Sequence, residues 1–192
     1  MRMLPFLILA LGAAALRAAP GDEEGVVRSA EYNFEIRTPP DSMDWDVMPV
    51  TEANKKQGCV AHLRTFYADA DPPAGCDVYI WVRSLSKEDS RMGVKFVANR
   101  WRDGLEGQLE HRRDRVESAS KFGGADAWEC DVKGDDIQVG STSRMHWILA
   151  MNGKYLYCYT EYRTHQAVTD PDLDAELKTI RASFKFLEIR KA

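Results

Sequence analysis

The residues of this chain that could do chemistry are four histidines, four cysteines, several clustered acids and one run of arginines. The histidines are His62, His111, His146 and His165. A zinc or copper site needs several ligands converging within about 2.0–2.3 Å of one ion. No two of these histidines stand four apart or in a His-Glu-x-x-His pattern, so their spacing predicts no metal site. Cys59 and His62 are three apart, which on a strand sends their side chains to opposite faces and separates thiol from imidazole. Gly140-Ser141-Thr142-Ser143 lacks the Gly-x-Ser-x-Gly setting of a nucleophile elbow and reads as the end of a loop. A hydrolytic site would have to join Cys59 or Ser141 to a remote histidine. Acids recur at Asp69 and Asp71, at Asp135 and Asp136, and at Asp170, Asp172 and Asp174. Calcium takes about six to eight oxygens in a loop template, and the last group lacks the glycine and later glutamate of an EF-hand. Those acids suit a helix N-terminus instead. The sequence therefore predicts no catalytic residue, no metal and no cofactor, hence a protein that is not an enzyme.

Recognition has better candidates. His111 is followed by Arg112, Arg113 and Arg115, the one basic cluster. Cations at a helix C-terminus would explain it, and so would a patch that meets an anionic partner. Tyr155, Tyr157 and Tyr159 form a row that is either an interface or the underside of a covering element. Cys59, Cys76, Cys130 and Cys158 include no Cys-x-x-Cys pair. In an oxidising compartment an even count permits two bridges, with pairing left open; four buried thiols are the alternative.

The elements that would position these residues follow from periodicity. Tyr32, Phe34 and Ile36 alternate with polar residues until Pro39-Pro40, a strand. Trp45, Val47 and Val50 suggest a second, interrupted by Pro49. Strands are expected over 59–67 and 76–82, and the continuous apolar run Val78-Tyr79-Ile80-Trp81-Val82 predicts burial on both faces. Val97, Trp101, Leu105 and Leu109 at four-residue intervals, broadened by Met92 and Phe96, predict a helix over 87–112 that begins at a Ser86 cap. Strands over 116–122 and 125–132 meet across Gly123-Gly124, and Gly134-Asp135-Asp136 reads as a turn. A second hairpin joins 145–150 to 155–162 across Asn152-Gly153, with Trp147 opposite Cys158 in a type I′ turn. Both faces of that hairpin are largely apolar, so both should be covered. Asp170-Pro171-Asp172 opens a last helix with Leu173, Leu177 and Ile180 inward, and an alternating strand over 183–189 closes the chain.

The chain opens with a single charge at Met1-Arg2-Met3, an apolar run over 4–16, and Arg17-Ala18-Ala19. That order predicts a secretory signal peptide over 1–18, since the run is shorter than the roughly 20 residues that span a bilayer. A flexible segment over 19–25 and one α+β domain over 26–190 would follow. Loss of Arg2 and Arg17 leaves 24 Lys and Arg against 30 acids, about −6. An acidic chain without a basic stripe does not fit a nucleic-acid partner. With no second long apolar run, the processed chain should be soluble in a periplasm or the medium.

Two stretches resemble a known family. Tyr32–Trp45, YNFEIRTPPDSMDW, is similar to the opening of the PsbP/Mog1-like superfamily, and Asp172–Phe186, DLDAELKTIRASFKF, to its closing helix and strand. The resemblance implies an α/β/α sandwich, a central antiparallel sheet with helices on both faces, and a generally non-enzymatic member. The expectation is an exported accessory module that binds a protein of the envelope or secreted space. The alternative is a small-ligand or lipid-binding module with a cleft between sheet and helix.

Overall fold

Alternating residues along the two longest apolar strands face two different cores, and the architecture follows from this. The computed structural model describes residues 24–40, 45–67, 69–138 and 140–188. The expected signal peptide, residues 19–23 of the segment after it and residues 189–190 lie outside them. The order is β1 (Val26–Ser29), β2 (Phe34–Arg37), β3 (Asp46–Val47), α1 (Glu52–Lys56), β4 (Cys59–Tyr67), β5 (Ala74–Ser84), α2 (Val94–Leu105), β6 (Leu109–Phe122), β7 (Ala125–Asp136), β8 (Thr142–Asn152), β9 (Tyr155–Thr164), α3 (Pro171–Ser183) and β10 (Lys185–Phe186). Seven strands form an antiparallel sheet in the order β3-β4-β5-β9-β8-β7-β6, and β1-β2-β10 form a small one.

Val78, Ile80, Ile148, Tyr157 and Tyr159 point to one face of the large sheet. There they pack against Phe34 and Ile36 of β2 and Leu173, Leu177 and Ile180 of α3. Trp147, Leu149, Leu156 and Cys158 point to the other, under Val97 and Ala98 of α2. This is the expected α+β sandwich, with the small sheet sharing the layer of α3. Helix α3 starts as its sequence predicts: the Asp170 carboxylate accepts from the amides of Asp172 and Leu173 at 2.9 and 3.2 Å, and Pro171 occupies the first turn.

Four local expectations are corrected. The helix over 87–112 is only Val94–Leu105. Ser86 accepts from the Asp89 amide at 2.9 Å, but this bond lies at the entry to a separate 3-10 turn, Asp89–Arg91, which follows Glu88. Leu109 continued the four-residue interval by coincidence; it is buried as the first residue of β6, paired with Asp136. Arg112, Arg113 and Arg115 therefore belong to a strand, not to a helix end. Gly134-Asp135-Asp136 is the end of β7 rather than a turn, because Gly134 lets the Glu110 carbonyl approach to 2.7 Å of where a Cβ would stand. The second hairpin turns at Gly153-Lys154, with Asn152 opposite Tyr155 and Leu149 opposite Cys158. Gly153 alone takes a positive φ, +58°, so the turn is of the II′ kind with glycine first. Finally, the run Val78–Val82 is not buried on both faces: Val78, Ile80 and Val82 are buried, while Tyr79 and Trp81 are half-buried.

Candidate functional site

Helix α2 packs mainly over β7 and β8. Between it and the β5–β9 part of the sheet lies a cleft of about 680 Å³. Asp77, Tyr79, Trp81 and Arg83 form one side of β5 and line it, with Thr160 and Tyr162 of β9 beside them and Trp101 on α2 opposite. Gly104 also faces the cleft, and a Cβ there would meet nothing within 4 Å. The missing side chain widens the cavity.

The cleft wall is pinned by a buried carboxylate. Glu106 ends α2 and is wholly inaccessible. It accepts from the Trp147 indole N–H at 3.0 Å and from both terminal nitrogens of Arg115, one of them at 2.9 Å. Arg112 donates to the Glu106 carbonyl at 3.1 Å and to that of Leu109 at 3.1 Å. These bonds tie α2 to β6 and β8, and so set the position of Trp101 over the sheet.

The charged groups of the cleft all have partners within the chain. Asp77 takes hydrogen bonds from His62 at 2.6 Å and Arg64 at 2.7 Å. Burial pushes its carboxyl up, but these two partners outweigh burial and hold it below the ordinary aspartate value. The His62 ring stacks on Tyr79 with centroids 4.3 Å apart, and Tyr79 meets Trp81 at 5.5 Å. Asp136 accepts from the Tyr162 hydroxyl and from the Gln138 amide at 2.6 Å. Burial, then this bond to Asp136, raises the Tyr162 phenol. Arg83 donates to the Gln57 carbonyl at 3.0 Å and lies 4.7 Å from the Trp101 ring, a cation–π contact. Arg100 pairs with Asp89 at 3.0 Å. The Trp81 N–H donates to Thr160 at 3.2 Å, so what Trp81 has left to offer is its carbon surface.

The residues singled out from the sequence are placed elsewhere. Arg112 and Arg115 brace Glu106, while Arg113 reaches Asp135 at 3.0 Å and Thr142 at 3.0 Å. They lie where β6 bulges twice, at the sheet edge, with His111 and Asp114 at positive φ. Charged bulges of this kind also blunt an exposed edge. Of the two possibilities for the cysteines, bridges or buried thiols, the structure holds the second: Cys59, Cys76, Cys130 and Cys158 are free and buried. The register explains it. Trp81 stands between Cys59 and Cys158, and β8 stands between Cys130 and Cys158. Two strand spacings are about 9.5 Å, beyond the reach of a bridge. Cys76 joins the opposite core. Burial pushes the Cys59 thiol up to about 11 and, more strongly than the nearby Glu106, the Cys130 thiol to about 12. Tyr157 and Tyr159 are covered by Phe34, Phe122, Phe184 and Phe186. His62, His111, His146 and His165 do not converge, and no cluster of three metal-ligating side chains occurs among the described residues. His146 instead neighbours Glu161, a buried carboxylate that accepts from Tyr159 at 2.7 Å, Arg163 at 3.2 Å and Arg181 of α3.

The residues that the sequence reading passed over are Tyr79, Trp81, Trp101 and Tyr162. Their signal was parity: Asp77, Tyr79, Trp81 and Arg83 share one side of β5, and that side alone carries charge.

With this geometry in place, the fold has clear counterparts. No family model matches the sequence, and no curated protein matches it at the sequence level. Solved structures do match. The cyanobacterial PsbP of Synechocystis aligns with a TM-score of 0.54 at 13% identity, covering 89% of this chain and 98% of that one. The chain has a PsbP-like fold. LpqN of Mycobacterium tuberculosis, described as involved in cell envelope biogenesis, gives the same TM-score at 15% identity, over 85% of this chain and 90% of that one. A Bacteroides thetaiotaomicron protein gives 0.50 at 11% identity, over 83% of this chain and 47% of that one. The PsbP-like fold accounts for the antiparallel sheet and its flanking layers. No helix among the described residues is long and apolar enough to cross a membrane.

Proposed function

We propose that this chain is an exported, non-catalytic binding protein whose working part is the cleft between α2 and β5, and that its ligand is a small molecule. The observation that carries this reading is the cavity itself. At about 680 Å³ it falls within the roughly 300–1,000 Å³ typical of small-molecule sites. Aromatic rings line it, beside a larger share of polar groups than such sites usually carry. The non-catalytic part rests on the state of the cleft's acids and bases. Asp77 and Asp136 are held by partners in the chain, and the Cys158 thiol is pushed up by burial. Export rests on the N-terminal sequence pattern and agrees with the envelope role given for LpqN. A protein partner is the other expected reading. Its candidate residues, Arg112, Arg113 and Arg115, bond to groups of their own chain, so the cleft has the stronger support.

The test is native mass spectrometry of the protein purified from its own host. A stoichiometric small molecule on the wild type, absent from Gly104→Leu, supports the reading. Replacing Gly104 removes a poor helix former, worth up to about 1 kcal/mol, so the variant should fold at least as well while filling the cleft. A ligand that persists on Gly104→Leu, or a wild type that is bare under all growth conditions, would count against it.

A further inference from the structure

We infer that the ligand of the α2–β5 cleft is a neutral saccharide, an assignment that rests on the cleft being a binding site at all. Charge, ring surface and hydrogen-bonding type all point to it. Formal charge in the cleft is balanced: Asp77 and Asp136 against Arg83 and Arg100. Each is also held by a group of the chain itself, as described above. Asp77 is half-buried and Asp136 buried, while Arg83 and Arg100 are exposed but engaged by the Gln57 carbonyl and by Asp89, so an ionised ligand would compete with partners already in place. A neutral ligand displaces none.

The remaining polar lining is of one kind. Asn54, Gln57, Gln108 and Gln138, whose carboxamides both donate and accept, line the cleft with Thr160. Such groups match a ligand covered in hydroxyls, each itself donor and acceptor. Tyr79 adds a hydroxyl that makes no hydrogen bond among the described residues.

The apolar lining is ring surface rather than aliphatic chain. Tyr79 and Trp81 lie side by side on β5 with Trp101 across from them. His62 covers one face of Tyr79 and Arg83 one face of Trp101, so stacking falls to the remaining ring faces, which are electron-rich and attract the positive edge of a partner. The C–H face of a sugar ring is such a partner, and it is flat and rigid, so little conformational freedom is lost on stacking. An acyl chain would call for continuous aliphatic walls, whereas Leu105 and Met145 are the aliphatic side chains that line this cleft.

The experiment is titration of the purified protein with maltohexaose, cellohexaose and chitohexaose, followed by tryptophan fluorescence and calorimetry, with a long-chain fatty acid and inorganic phosphate in parallel. The expected result is binding of at least one saccharide, unchanged between low and high salt because no ion pair forms. Trp81→Ala should weaken it about tenfold or more, and Trp81→Phe should restore most of it by returning a ring. Gly104→Leu should abolish it with folding intact by circular dichroism. If no saccharide binds while the fatty acid, phosphate or a copurifying molecule does so in a Gly104-dependent way, the saccharide assignment is overturned and the cleft reading stands. Failure of every probe, with no copurifying molecule, overturns both. Saccharide binding indifferent to both Trp81→Ala and Gly104→Leu also overturns the assignment, since the site would lie elsewhere.

Discussion

Removing either side of the Glu106–Arg115 pair should destabilise the protein, and the two sides should not be equal. Glu106 is fully buried, whereas the Arg115 side chain is 29% exposed and keeps a second partner, Glu117, at 2.9 Å. In Arg115→Leu the buried carboxylate retains the Trp147 N–H, the weak Cys130 thiol donor at 3.8 Å and Arg112 at 3.6 Å. An uncompensated buried charge typically costs about 3–5 kcal/mol, and the residual partners place this case near ~3 kcal/mol. In Glu106→Gln the amide oxygen still accepts from Trp147, and water can reach the guanidinium, so the loss is about 1 kcal/mol. With a urea slope of roughly 2 kcal/mol per molar, the midpoint should fall by ~1.5 M for Arg115→Leu and ~0.5 M for Glu106→Gln. Both variants should also loosen the seat of α2 and weaken cleft binding. Equal losses, or a larger one for Glu106→Gln, would refute the view that the buried carboxylate governs this contact.

Three further outcomes follow from the same geometry. All four thiols should resist alkylation in the native protein and react together on unfolding, because burial disfavours the reactive thiolate; mass spectrometry that found a native bridge would contradict the strand register. Glu35 is held down to about 2, chiefly by its hydrogen bond from Arg28, against burial, with Lys185 and Arg37 assisting. Its folded value lies below the ordinary 4.5, so its stabilisation is present above about pH 4.5 and drains away as pH falls toward 2. Urea midpoints should therefore drop more between pH 6 and pH 3 for the wild type than for Glu35→Gln. Gly123→Ala should cost about 2–3 kcal/mol, since φ is +59° and the new Cβ would meet Phe184 at 2.9 Å. Gly153→Ala has only the strained φ to bear, about 1 kcal/mol, so similar melting temperatures for the two would undo the packing argument.

Much of the fold was legible because local rules and packing agreed. The Asp170-Pro171 start of α3, the Gly123-Gly124 hairpin and the inward row Leu173, Leu177 and Ile180 each carry their own mechanism. The failures arose where a tertiary contact overrode a period. Leu109 matched a helical stripe, yet the chain turns at Glu106, whose carboxylate is drawn inward by Arg115 and Trp147. Gly134 looked like a turn residue, but its lack of a side chain serves a close strand crossing. Asn152-Gly153 suggested one turn type and gave another, with the partners of every residue displaced by two and the faces unchanged. The cleft was least legible. Tyr79 and Trp81 read as core because aromatic residues look alike in sequence whether a helix covers them or stops short. The arginines were conspicuous for being clustered, but their carboxylate and carbonyl partners come from strands and a helix end that only the fold brings near.

The five tryptophans offer the most direct test of the central claim, since Trp81 and Trp101 line the cleft and Trp45, Trp128 and Trp147 do not. Nitrogen-resolved NMR of the indole N–H signals during addition of the copurifying molecule, or of the saccharide that binds, would read all five at once. The account predicts that the Trp81 and Trp101 signals move together and saturate with the binding curve while those of Trp45 and Trp128 stay in place. Movement confined to Trp45 or Trp128, with Trp81 and Trp101 unmoved, would contradict it.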